Sequence, residues 1–249
     1  MVEFLDTASG RRIAFHRTMG KEPGVVFLGG FMSDMDGSKA THLEAWAKAE
    51  GRAYVRFDYS GHGQSAGAFV DGCIGDWFAD ASEVIERLTQ GPQVLVGSSM
   101  GGWIALLCAK ALPERIAGLV TIAAAPDFTE DGFYADFSDE DKSRLEVEGV
   151  VHVPSDYGDP YPITKRLIED GRSHFVLRDP LKLGVPVRMV QGTEDTAVTR
   201  DTALRLLDHL EVEDVRLTFI KGGDHSLSTP DNLEMIVGAV DNVLARVAS

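Results

Sequence analysis

A serine hydroxyl is a poor nucleophile at neutral pH unless a base stands beside it. Three short stretches of this chain could supply such a partnership. Gly97-Ser98-Ser99-Met100-Gly101 sets Ser99 in a G-x-S-x-G spacing. Ahead of it, Val94-Leu95-Val96 reads as a buried strand; behind it, Met100, Ile104, Leu107, Cys108 and Ala111 share one helical face. That context turns a common pattern into a nucleophile elbow, a sharp strand-to-helix turn at which the serine Oγ projects from strained backbone. The glycines allow neighbouring backbone to approach, and the helix N-terminus brings free N–H groups and a positive dipole end to the same oxygen. Ser98 is the rival hydroxyl, but it lies at the strand end without the flanking glycines.

The base and its orienting acid must come from elsewhere. Folds with this elbow place the partners in the chain order serine, acid, histidine. The strand 187-VRMVQ-191 leads into Gly192-Thr193-Glu194-Asp195-Thr196-Ala197-Val198, and 215-VRLTFI-220 leads into Gly222-Gly223-Asp224-His225-Ser226. Loops that follow parallel strands meet at the carboxyl edge of the sheet, beside the serine. His225 is therefore assigned as general base and Asp195 as the carboxylate that orients it, with Glu194 and Asp127 as the alternative acids. Asp224 is expected to face solvent or cap its loop. Position sets His225 apart from His16, His42, His62, His152, His174 and His209.

Acyl transfer also needs two donors for the developing oxyanion. The backbone N–H of Met100 is one candidate. The other is the N–H of Phe31, carried by the loop 25-VVFLGGFMSD-34, where Gly29-Gly30 permits close approach. In 57-FDYSGHGQS-65, Asp58 is expected to tie down a tight glycine loop, and His62 to be structural rather than catalytic. Trp46, Trp77 and Trp103 are expected to pack.

Positioning these groups requires a particular framework. Short β-branched runs at 13–15, 25–30, 53–57, 93–97, 116–122, 185–192 and 215–220 alternate with helical patterns at about 36–50, 75–90, 100–111, 199–210 and 230–247. Pro230 stands in the first turn of the last helix, behind Thr229 as a cap. Such alternation predicts an α/β fold: a mostly parallel central sheet flanked by helices, over a single domain spanning 1–249. From Asp127 to about Lys182 the alternation fails and no clean strand is visible. This acidic segment carries Phe128, Phe133, Tyr134, Phe137, Tyr157 and Tyr161, and is expected to form a lid with short helices over an apolar acyl or aryl group.

Composition narrows the partners. The 249 residues include 39 Asp and Glu against 24 Lys and Arg, a formal charge of −15. A chain so acidic is repelled by phosphate backbones, which argues against nucleic acid. No apolar run approaches the ~18 residues of a membrane span. MVEFLDTASGRR has neither the charged start nor the apolar stretch of a signal peptide, and Cys73 and Cys108 form no metal spacing, so reduced thiols and a cytoplasmic location are expected.

In chain order and spacing these motifs resemble the α/β-hydrolase superfamily. RFDYSGHGQS, QVLVGSSMGGW and the upstream GGFMSDMDGSKA are more similar still to a subgroup of α/β-hydrolase-domain proteins, that of the mitochondrial palmitoyl-protein thioesterase also described as mycophenolic acid acyl-glucuronide esterase. The similarity runs from about Val25 to Val243 and is weakest in the lid. It implies hydrolysis of a small-molecule ester or thioester, or of an S-acylated protein, by Ser99, Asp195 and His225, with no metal or cofactor. Two other readings stay open: an aminopeptidase that uses the acidic run from Asp136 to Glu148 to hold an ammonium group, and a non-catalytic ligand receptor on the same fold. Oligomeric state is not encoded in these patterns.

Overall fold

The computed structural model describes residues 2–154 and 160–247. Tyr157, one of the aromatics expected in the lid, lies outside them. In chain order the elements are β1 (Glu3–Asp6), β2 (Arg12–Thr18), β3 (Lys21–Leu28), α1 (Ser38–Ala49), β4 (Arg52–Phe57), α2 (Ile74–Leu88), β5 (Gln93–Ser98), α3 (Met100–Ala111) and β6 (Ile116–Ile122). Then come α4 (Asp139–Glu148), β7 (Val150–Val153), β8 (Tyr161–Thr164), α5 (Lys165–Gly171), β9 (Leu181–Lys182), β10 (Val187–Gly192), α6 (Arg200–His209), β11 (Leu210–Glu211), β12 (Val215–Ile220) and α7 (Pro230–Val247).

The central sheet has eight strands in the order β1-β2-β4-β3-β5-β6-β10-β12. From β4 to β12 every pairing is parallel, whereas β1 and β2 join antiparallel at one edge. Alternate residues of a strand face opposite sides, and here both sides are covered. Val25, Phe27, Val94, Val96 and Val120 pack with α1 and α7; Val26, Leu28, Leu95 and Leu119 pack with α2, α3 and α6. Each fully buried side chain of this size contributes about 1.5–3 kcal/mol relative to exposure. This explains why the central strands read as unbroken apolar runs.

The helices follow their sequence signals. In α2, the stripe Ile74, Trp77, Ala81, Val84 and Ile85 faces the core. In α3, every residue from Met100 to Ala109 is buried, because the segment after β6 lies over the helix face that the sheet leaves uncovered. Thr229 caps α7: its Oγ1 accepts the Asn232 N–H at 3.3 Å, and Pro230 opens the first turn.

The stretch after β6 differs from expectation in one respect. It holds the short helices α4 and α5, but also a two-stranded antiparallel hairpin, β7 with β8. Four-residue strands, one exposing His152 and the other containing Pro162, carry too little alternation to register as strands in the sequence. Ion pairs brace this stretch internally, Glu130 with Arg172 at 2.7 Å and Asp131 with Arg178 at 2.6 Å, and Asp131 also ties it to α6 through Arg205 at 2.8 Å.

Candidate active site

β5 ends at Ser98 and α3 begins at Met100, so the whole reversal falls on Ser99, at φ 53° and ψ −118°. Such a conformation costs on the order of 1–3 kcal/mol and persists only where surrounding bonds impose it. Here the Ser99 N–H donates to the Ile122 carbonyl at 2.9 Å. The Ser99 carbonyl accepts the N–H groups of Gly102 at 2.9 Å and Ala125 at 3.1 Å. The two flanking glycines are required by contact. A Cβ at Gly97 would stand 2.3 Å from the Gly101 carbonyl oxygen, and one at Gly101 would stand 2.1 Å from that of Leu28.

His225 and Asp195, far apart in sequence, converge on this turn. His225 Nε2 lies 3.2 Å from Ser99 Oγ, and His225 Nδ1 lies 2.8 Å from Asp195 Oδ2. Asp195 Oδ1 accepts the amides of Ala197 at 2.9 Å and Val198 at 2.8 Å, which curls the loop after β10 around its own carboxylate. Burial alone would raise the Asp195 carboxyl, but the hydrogen bonds from His225 and the Val198 amide, aided by Gln191, hold it below the ordinary carboxylate range. The acid is thus kept ionised against the imidazole. Gln191 is a contributor that sequence reading missed. Its Nε2 donates to Asp195 Oδ2 at 2.9 Å and to the Val198 carbonyl at 2.9 Å, from a fully buried position at the end of β10. The sequence signal was a polar residue directly after the apolar pair Met189-Val190 and four positions before Asp195.

The loop after β3 brings Phe31 beside the elbow. Its neighbours' amides are engaged: Ser33 N–H donates to the Gly30 carbonyl, and Met32 N–H to His62 Nε2 at 3.3 Å. The Phe31 amide takes part in neither bond. The Met100 amide stands at the first helical position after Ser99. His62 is structural, as its sequence suggested, and holds this loop. Its Nδ1 is 3.2 Å from the Ser60 carbonyl, and burial depresses the imidazole to about 4, so it is neutral and accepts at Nε2. Asp58 ties the adjoining loops by accepting the amides of Met35 at 2.6 Å and Gln64 at 2.7 Å. Trp77 and Trp103 are fully buried, and Trp46 packs against the α1–α7 side of the core.

The alternative acids have other partners. Asp127 is buried and accepts the amides of Val176 at 2.8 Å and Leu177 at 3.0 Å, with Arg178 at 3.2 Å. Glu194 is exposed; its backbone N–H bonds the Gly223 carbonyl. Asp224 caps its loop by accepting the Leu227 amide at 2.8 Å. Ser98 lines the same cleft as Ser99 but does not bond His225.

Above Ser99 and His225 opens a cleft of about 560 Å³. One wall is aromatic: Phe31, Phe128, Phe133 and Tyr161. Phe31 stacks edge-on against Phe128 and Tyr161 with ring centroids 5.5 Å away in each case. The other wall is polar and includes Ser38, Lys39, Thr196 and Ser226. A cleft lined by both aromatic and polar side chains suits a substrate with an apolar part and a polar part.

Comparison with known proteins finds relatives over the whole chain. A family model described as serine aminopeptidase, S33, matches residues 23–141. The chain is 33% identical over 253 residues to the mitochondrial palmitoyl-protein thioesterase ABHD10 of Bos taurus, an alignment covering all of this chain and 81% of the relative. Among solved structures, a putative hydrolase from Agrobacterium vitis S4 superposes with a TM-score of 0.93 at 36% identity, covering 98% of this chain and 99% of that one. The α/β-hydrolase domain-containing protein 10 from mouse superposes with a TM-score of 0.91 at 31% identity, covering 99% of both. These relatives overturn the expectation of a cytoplasmic location, because the curated ones are designated mitochondrial. That expectation rested on the first residues and on two reduced cysteines, and neither feature of a folded domain distinguishes the two compartments.

Proposed function

Because the chain belongs to the α/β-hydrolase family, in the branch of the ABHD10 palmitoyl-protein thioesterases, we propose that it is a serine hydrolase that cleaves acyl thioesters or carboxylic esters through an acyl-enzyme. The observation that carries this reading is the continuous contact from Ser99 Oγ to His225 Nε2 at 3.2 Å and from His225 Nδ1 to Asp195 at 2.8 Å. In the proposed cycle His225 takes the Ser99 proton as Oγ attacks the acyl carbon. The carbonyl oxygen becomes an oxyanion, held by the N–H groups of Phe31 and Met100. Asp195 stabilises the imidazolium that forms. The tetrahedral species collapses, His225 protonates the departing thiol or alcohol, and the acyl group stays on Ser99. Water, deprotonated by His225, then attacks the acyl-enzyme, and His225 returns that proton to Ser99 Oγ as the Oγ–acyl bond breaks and the acid departs. Every proton and charge in this sequence has a protein group to receive it, so the proposal uses neither metal nor cofactor.

The segment 127–182 acts in this reading as a lid on a single domain, and its aromatic wall receives the acyl chain. The aminopeptidase alternative has the description of the matched family model in its favour. Half of the acidic run is engaged in ion pairs, however: Glu140 and Asp141 pair with Arg144, and Glu146 with Lys165. Asp136 is the residue of that run that lines the cleft. A panel of p-nitrophenyl esters, acyl-CoAs, S-acylated peptides and aminoacyl amides tests the reading. Turnover of esters or thioesters that disappears in Ser99→Ala supports it; turnover of the amides alone transfers the chain to the peptidases.

A further inference from the structure

The cleft lining contains an ammonium group that, among the described residues, makes no direct ion pair with a carboxylate. Lys39 lines the cleft from the first turn of α1, and its Nζ donates to the Ser226 carbonyl at 2.5 Å, one residue beyond His225. Its side chain is half-buried, and burial lowers its pKa while the more distant Asp224 partly restores it. Among the described residues no carboxylate forms an ion pair with Nζ, although the chain carries 39 of them. Asp224 is bound to the Leu227 amide, and Asp34 and Asp136 line the same cleft without a recorded bond to Nζ. A half-buried ammonium whose direct partner is a neutral carbonyl keeps donors and charge available for an anion.

The place of this cation is informative. His225 delivers the proton to the leaving group, so the wall beside His225 faces the leaving-group half of the substrate. Phe31, Phe128 and Phe133 line the same cleft and supply its apolar surface. We infer that Lys39 forms an anion subsite in the cleft and selects esters or thioesters whose leaving group carries a negative charge. One ammonium with no guanidinium beside it suits a monoanion such as a carboxylate better than a phosphate dianion. The net charge of −15 repels anions at long range, so the subsite works through direct contact rather than through steering. This inference rests on the hydrolase reading and adds the leaving-group class to it.

The test compares two thioesters with the same acyl group, S-butyryl-3-mercaptopropionate and the neutral S-butyryl-3-mercaptopropionamide, by thiol release. In the wild-type protein kcat/KM should favour the carboxylate by about 10- to 100-fold, the range of a hydrogen bond to a charged group. Lys39→Met should bring the ratio close to one, and Lys39→Arg should retain most of it. Taking the ratio removes any loss that both substrates share through a disturbed Ser226 loop. A wild-type ratio of one or below overturns the inference without any variant, as does an unchanged ratio in a folded Lys39→Met protein. If neither thioester is cleaved by the wild type, it is the hydrolase reading that fails.

Discussion

Gln191 Nε2 and His225 Nδ1 meet on a single atom: both lie within 2.9 Å of Asp195 Oδ2, at 2.9 Å and 2.8 Å. The other carboxylate oxygen is taken by the amides of Ala197 and Val198. Asp195 is therefore fixed from both sides, and its orientation is passed to the imidazole and on to Ser99.

Removing the Gln191 donor should loosen that chain without touching substrate. Gln191→Leu is expected to lower kcat by about 10- to 100-fold, the scale of a small misplacement in a catalytic group, while KM changes little. Gln191→His, which keeps a donor, should recover part of the loss. Steady-state kinetics on a p-nitrophenyl ester decides it; a wild-type kcat in Gln191→Leu would show that the backbone amides suffice.

The choice of acid is open to a direct comparison. Asp195→Asn should cost about four orders of magnitude in kcat with a melting temperature close to wild type. Glu194→Gln should leave kcat within about twofold, since surface changes are usually mild. Asp127→Asn should instead lower stability by about 1–3 kcal/mol, because Arg178 and two amides lose a buried anion. If Asp127→Asn abolishes turnover in a stably folded protein and Asp195→Asn does not, the acid has been misassigned.

The elbow tolerates no side chain at its second glycine. Gly101→Ala would place a methyl 2.1 Å from the Leu28 carbonyl oxygen, a backbone atom that cannot rotate aside. The expected cost is about 1–3 kcal/mol or more, with loss of activity beyond it because Ser99 is displaced. Thermal melting and ester hydrolysis on the same sample would show both effects. An unchanged melting temperature contradicts the close approach.

His62 supplies a pH dependence of stability with a definite sign. Unfolded, its imidazole titrates near ~6.5; in the fold it is held down at about 4. Between these values the unfolded chain binds a proton that the native state rejects, so stability falls as pH falls through this window and levels off below it. The His62 contribution should shrink by about 2 kcal/mol from pH 7 to pH 5. Urea unfolding of wild type and His62→Gln at both pH values measures it. An equal pH-dependent loss in the two proteins would contradict a neutral, buried His62.

The residues legible in the sequence were those whose neighbours announce them. Ser99 stood between a strand and a helix in a glycine frame. His225 and Asp195 each followed an apolar strand, and the parallel topology that unites them follows from the alternation of elements. Asp58 and His62 were read as structural, and both tie loops beneath the cleft. Lys39 was missed because its partner, Ser226, lies 187 positions away, a contact no local periodicity encodes; Gln191 was missed because strand spacing does not show that the loop after it curls back onto its side chain. The β7–β8 hairpin was missed because each strand has only four residues. The compartment was misjudged because fold physics does not record an address.

The central claim is that Ser99 is the nucleophile, and active-site labelling tests it most directly. The protein is treated with a fluorophosphonate probe and the adduct is located by peptide mass spectrometry, in wild type and in Ser99→Ala. The account predicts one stoichiometric adduct on the peptide containing Ser99 and none in the variant. Undiminished labelling of Ser99→Ala, or an adduct mapped to Ser98, would contradict it.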